Sequence, residues 1–342
     1  MPEAVNFREA SFRKKPIRDL KLAIEGTRIE PLVKEFESEL EAAGIKKLRP
    51  KFYLSTEWGV SFGTLGIGIP FYLAHPDLIE LHAEEVGHIE GYSDADILKY
   101  FRHEMGHVVN YAYKLYEEES WIKRFGSITQ PYLEEYHPEP FSTRFVQHLP
   151  GWYAQKHPDE DWSETFAVWL TPGIDWRTAY AGWKVALAKL EWCDKKMAEL
   201  REREPLVTTI DLDEQVSDLA YSVDEYYVQM APTTVAIPAG LDGALKAMFE
   251  DFGQPDSSKS SVPRLPASKL IKKLERPLMA NVFRWTGHFP EQTRLLLRHF
   301  AKRCDELQQV YPANRELELT LALTTLVTSL AMTHVHRGSY LA

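Results

Sequence analysis

Cysteine is scarce: 342 residues contain only Cys193 and Cys304. They lie far apart, so the chain offers neither a CxxC-type metal clasp nor a disulfide framework. A reducing, cytoplasmic compartment is expected. Long apolar runs are also lacking. The most apolar tract, Thr320 to Val335, spans about 16 residues against the ~20 that a membrane span needs, and it reads as a buried helix. The opening residues MPEAVNFREASFRKKP show no apolar segment of the secretory kind, so neither a leader nor a membrane partner is expected. Basic charge is in deficit, 40 Lys and Arg against 50 Asp and Glu, for a net charge of −10. A phosphate backbone calls for clustered Lys and Arg, so no nucleic-acid partner is expected. The basic stretch from Arg8 to Lys21 reads as a solvated edge. No internal repeat is visible.

What remains is a globular balance. With 44% hydrophobic and 26% charged residues, disorder throughout the chain is excluded. The length fits about two domains. Residues 17–43 carry helix-like apolar spacing. Lys51–Ser55 and Gly66–Leu73 read as strands, the second demoted to an edge by Pro70. An edge strand could pair with an extended peptide. Ser93-Asp-Ala-Asp96 resembles a capping box, and Ile97, Tyr100, Phe101, Met105, Val108 and Ala112 recur at helical spacing, which predicts a helix over about 94–118. Residues 126–157 look irregular, and a loop that long is often functional. Pro158 opens a second helix that stops after Leu170. A long charged helix follows over about 175–203. Further helices are expected at about 267–275, 290–309 and 314–334, beyond a Ser- and Pro-rich linker near 253–266. A few strands followed by helices give an α+β class. The expected division is 1–204, made of an N-terminal segment (1–48) and a core (49–204), followed by a helical region (205–342).

The chemistry is concentrated in His103-Glu104-Met105-Gly106-His107. Four residues are just over one helical turn, so both imidazoles leave one face and can share one metal ion. Glu104 is rotated by about 100° from His103. It is poorly placed as a ligand but well placed as the general base of a zinc hydrolase. Gly106 is costly in a helix interior, which predicts close approach by another backbone.

A catalytic zinc needs a third protein ligand. The metzincin continuation places a glycine and then a histidine after the second histidine of the motif. Asn110 and Tyr113 stand at those two positions, so the third ligand comes from further on. Glu160 and Glu164, four apart on the second helix, are the best source. One can bind zinc while the other accepts the free N–H of a ligand imidazole. Spacing alone does not rank them. Asp161 points elsewhere. His137, His148 and His157 are alternative third ligands that read better as loop or capping residues. Trp162, Trp169, Trp176 and Trp183, at seven-residue steps, read as a packing stripe. Arg102 and Arg144 read as surface ion pairs, and His334 and His336 as terminal surface residues.

FRHEMGH followed by WYAQKHPDEDWSETFAVWL resembles the uncharacterised bacterial zinc-binding metallopeptidases of the zincin superfamily. The arrangement of Tyr, six residues, Glu, three residues, Glu is also similar to the anthrax-lethal-factor type of gluzincin. The resemblance covers about 50–200. It implies a zincin-like catalytic region with a small sheet, with Glu160 as the third zinc ligand beside His103 and His107. It implies that Glu164 supports a histidine and that Tyr153 is the phenol that stabilises the oxyanion. Tyr132 and Tyr136 are alternatives to Tyr153 as a phenol at the site, though aromatic loop packing explains them as well. A zinc-dependent metallopeptidase acting on peptides or proteins, with Glu104 as base, is therefore expected. The competing readings are a zinc amidohydrolase acting on a non-peptide substrate and a catalytically silent, zinc-stabilised interaction module. Neither the substrate nor the oligomeric state can be read from the sequence.

Overall fold

The computed structural model describes residues 10–133, 136–230, 237, 239–251 and 262–340. The chain divides into two compact units, Met1–Ala231 and Pro232–Ala342. Residues 205–230, grouped above with the C-terminal region, fold with the first unit. Leu206 and Val207 donate their N–H groups to Ala112 O, Val216 donates to Leu54 O, and Ser222 bridges to Pro16.

The first unit runs α1 (Ile29–Ala42), β1 (Lys51–Ser55), β2 (Gly66–Pro70), α2 (Pro76–Glu85), α3 (Asp94–Tyr113), α4 (Glu119–Phe125), α5 (Pro158–Leu170), α6 (Trp176–Ala179), α7 (Lys184–Leu200) and α8 (Val223–Gln229). Helices dominate and the sheets are small, which is consistent with the α+β class. Only 29–42 of the stretch 17–43 is α-helical, preceded by a 3-10 turn at Ile17–Leu20. The expected helix over 175–203 is broken into α6 and α7.

β1 and β2 pair in parallel, Lys51 opposite Gly66 and Ser55 opposite Pro70. The edge expected to receive a peptide is in part already engaged. Gly68 N–H already donates to Gly59 O, Leu65 N–H donates to Thr209 O, and Pro70 has no N–H to offer. The strand stops at Pro70; Phe71–Ala74 form a buried 3-10 turn, and the Tyr72 ring stacks on His82 at 3.6 Å.

α3 begins with the reciprocal capping box of Ser93 and Asp96. It ends at Tyr113 rather than near 118 because Lys114 adopts the left-handed conformation, φ 54°. α5 packs across it. A Cβ on Gly106 would lie 2.6 Å from Ser163 Cα, so only glycine allows this approach. The indole N–H of Trp162 donates to Gly106 O at 2.7 Å and locks the crossing. Trp162 is fully buried in the main core, and Trp176 is buried in a smaller cluster with Trp169 and Trp183 packed against it.

The second unit contains α9 (Asp242–Met248), β3 (Glu250–Asp251), β4 (Arg264–Pro266), α10 (Ala267–Thr286), α11 (Pro290–Glu306), β5 (Gln309–Pro312) and α12 (Glu316–Arg337). The strands form a small antiparallel sheet in the order β3-β5-β4. The expected linker falls largely on residues 252–261, outside the described residues. α10 continues past Pro277 because Leu278, Met279 and Val282 are buried in the core. The C-terminal helix is longer than the apolar tract suggested. Among the described residues, Ala313–Arg337 is the one helix long and apolar enough to cross a membrane by length and composition. It buries Leu323, Val327 and Ala331 but leaves Leu317 and Leu321 largely exposed, so it is not buried all round. His334 is not a bare surface residue either. Its ring stacks on Tyr340 at 4.6 Å.

Candidate metal centre

The crossing of α3 and α5 assembles the centre. His103 and His107, one turn apart on α3, place their Nε2 atoms 3.2 Å from each other. α5 carries Glu160 to the same point: Oε2 lies 3.0 Å from His103 Nε2 and 3.3 Å from His107 Nε2. These three side chains each offer a ligand atom within 4.8 Å of the others, and among the described residues no other group of this kind is found.

The remaining ring nitrogens are both engaged. His103 Nδ1 meets Glu164 Oε1 at 2.8 Å, and His107 Nδ1 meets Asp159 Oδ2 at 2.9 Å. Each carboxylate thus takes an Nδ1–H, which assigns the tautomer and turns a bare Nε2 lone pair toward the centre. Glu160 Oε2 is buried and makes no aligned hydrogen bond. Two imidazole lone pairs and a carboxylate oxygen then converge with no donor between them. That set of two nitrogens and one oxygen fits zinc.

Without a cation, protonation is the alternative relief. Burial lowers the His103 pKa, but Glu160 and Glu164 outweigh it and raise the value to about 10. For His107, Asp159 and Glu160 likewise overcome burial and push it well above the ordinary value. Burial raises Glu160, yet the two histidines hold it well below the usual carboxylate range. Metal and protons therefore compete for the same sites.

Glu104 is buried on the same helix. Burial pushes its pKa up, and the pull of His103 and His107 does not cancel the rise. A carboxylate with a raised pKa is better suited to hold a proton near neutrality.

Two tyrosines reach the centre from the irregular stretch and the turn that closes it. Trp152 takes the left-handed conformation, φ 62°, and starts the 3-10 turn Tyr153–Gln155. This sets the Tyr153 ring edge-on to His103 at 5.5 Å. The Tyr132 hydroxyl donates to Glu160 Oε1 at 2.7 Å and lies 3.4 Å from the Tyr153 hydroxyl. Burial, with the Glu160 charge, holds the Tyr153 phenol well above its ordinary pKa, so it keeps its proton.

The other histidines stand outside the ligand group. His157 caps α5, its Nδ1 accepting from Asp159 N–H, and its Nε2 meets Gln130 O at 3.1 Å. His148 Nε2 meets Lys99 O at 3.0 Å. Arg102 is not a surface residue. Its guanidinium makes two bonds to Glu39, at 2.8 and 2.6 Å, in a largely buried pair. Asp161 turns away from the centre onto Lys189, 2.5 Å away. Tyr136 donates to Gly151 O at 2.6 Å.

Asp159 is the residue that sequence reasoning missed. It also accepts from Asn110 Nδ2 at 2.6 Å and from the Tyr111 hydroxyl at 2.5 Å. The available signal was the pair Asn110 and Tyr111, three and four residues after His107 and so on its face of the helix.

Residues 90–257 match a family described as "Putative zinc-binding metallo-peptidase". The match covers just under half of the chain and includes every residue of the centre. The resemblance to zinc-binding metallopeptidases therefore holds over this stretch, and zinc is the metal it brings. No curated protein and no solved structure matches the chain.

Proposed function

We propose that this chain, whose residues 90–257 match that zinc-binding metallopeptidase family, is a zinc-dependent peptidase of the gluzincin type with a zincin-like first unit. The observation that carries the reading is the convergence of His103 Nε2, His107 Nε2 and Glu160 Oε2, with both Nδ1 atoms held by carboxylates. Zinc held there would supply Lewis acidity to a water and to a peptide carbonyl. Glu104 takes the proton of the attacking water and returns it to the leaving amine. Tyr153 donates a hydrogen bond to the oxygen on which charge develops. Glu164 and Asp159 fix the two imidazoles. The substrate class is a peptide or protein, and the two buried free thiols suit a reducing, cytoplasmic setting.

The test is a peptide-library digest with zinc-loaded protein and with Glu104→Gln. Cleavage by the wild type, lost in a variant that still holds zinc, is expected. A zinc-loaded wild type that cleaves nothing in the library, or a variant that cleaves equally well, would overturn the reading.

A further inference from the structure

The irregular stretch between α4 and α5 does more than connect two helices. A carboxylate has two oxygens, and at this centre each of two glutamates divides them between the histidines and this stretch. Glu164 Oε1 meets His103 Nδ1, while its Oε2 accepts the backbone N–H of His148 at 3.1 Å and of Leu149 at 2.9 Å. Glu160 Oε2 faces both Nε2 atoms without a hydrogen bond, while its Oε1 accepts the Tyr132 hydroxyl. Tyr132 is itself held in place. The Lys156 ammonium lies 4.4 Å from its ring centroid, and His157 packs 5.2 Å away.

We propose that Tyr132 is the positioning residue for Glu160: its hydroxyl ties up Oε1 and so commits Oε2 alone to the metal. Tyr153 has no such bond to Glu160. Its hydroxyl stands one step further out, with the Tyr132 oxygen 3.4 Å away as a long contact, so its proton can turn to the substrate. The division of labour between the phenols follows from these contacts: Tyr132 orients a ligand, and Tyr153 faces the reaction. Loss of the Tyr132 hydroxyl would free Oε1, let the carboxylate rotate and allow both oxygens to approach the metal. Outer partners of metal ligands act through orientation in this way.

The proposal rests on the zinc reading above, and its test separates the two. Tyr132→Phe keeps the ring, its cation contact and its packing, and removes only the hydroxyl. Zinc affinity is measured by competition with a chromophoric chelator. The visible spectrum of the cobalt(II)-substituted protein reports the coordination number independently of activity. Tyr132→Phe is expected to weaken zinc binding by about 10- to 100-fold and to shift the cobalt bands toward the weaker absorption of higher coordination. Tyr153→Phe is expected to leave both readings at the wild-type level. Wild-type affinity with a wild-type cobalt spectrum in Tyr132→Phe would overturn the assignment of Tyr132 and leave the zinc reading intact. Failure of the wild type to take up either metal would overturn both.

Discussion

α5 in the first unit and α11 in the second are helices of similar length, both opened by proline, yet they spend burial on different chemistry. α11 is amphipathic in the ordinary way. It buries Leu296, Leu297, Phe300 and Ala301 and turns Arg298 and Lys302 outward. α5 buries nearly everything, including four carboxylates: Asp159, Glu160, Asp161 and Glu164. An ionised carboxylate taken out of water costs several kcal/mol unless it is paired. Three of the four have a partner, His107 for Asp159, Lys189 for Asp161 and His103 for Glu164, while Glu160 turns Oε2 to the two Nε2 atoms with no donor among them, which calls for a cation. A helix needed only for packing would look like α11. Asp159, Glu160 and Glu164 are aimed at two histidines, and that concentration of buried charge on α5 supports the proposed metal chemistry.

The contrast can be broken from either side. The largest effect is expected from His103→Ala, which should reduce bound zinc from near one per chain to near zero by metal analysis. Retention of zinc would mean the centre lies elsewhere. Glu104→Gln should keep the zinc and lower the turnover of any identified peptide by about 10²- to 10⁴-fold. A variant with unchanged turnover would remove Glu104 from the chemistry. On the α11 side, Phe300→Ala empties a fully buried site. It should cost about 3–5 kcal/mol in denaturant unfolding while zinc affinity stays unchanged. A coupled loss of zinc would contradict the separation drawn here.

Asp159→Asn should weaken zinc by about 10- to 100-fold, since it leaves His107 Nδ1 with a weaker acceptor. Unchanged affinity would make Asp159 a structural residue only. The smallest effect concerns pH in the second unit. His288 is bonded to Thr293 and Tyr340, and burial beside His334 lowers its pKa to about 3. The unfolded chain binds that proton near 6.5, so stability from the neutral ring is complete above pH 6.5 and is lost as pH falls toward 3. The stability difference between wild type and His288→Gln should therefore shift against the wild type by about 2 kcal/mol between about pH 6.5 and 5. A difference independent of pH would refute the assignment.

Local signals were the legible part of this protein. The capping box at Ser93, the proline start of α5 and the one-turn spacing of His103 and His107 all act within a few residues. The expected bounds of α5 and the start of α3 match the structure for that reason. Glu160 and Glu164 share a helix face, so spacing left them unranked; only the crossing of α3 shows that one faces the Nε2 atoms and the other an Nδ1. Asp159 was hidden because an acid in a first turn is ordinary dipole chemistry. The pairing of Gly59 with Gly68 of β2 was not legible either, since no local pattern encodes it. The same holds for 205–230, which the first unit captures through backbone bonds to Ala112 and Leu54.

The central claim is that two histidines and Glu160 hold one zinc ion. Native mass spectrometry of the intact wild-type chain, before and after incubation with zinc and side by side with Glu160→Ala, tests it most directly. One zinc per wild-type chain and none in the variant is the predicted result. A wild-type chain that takes up no zinc under either condition, or a variant that binds it equally well, would contradict the account.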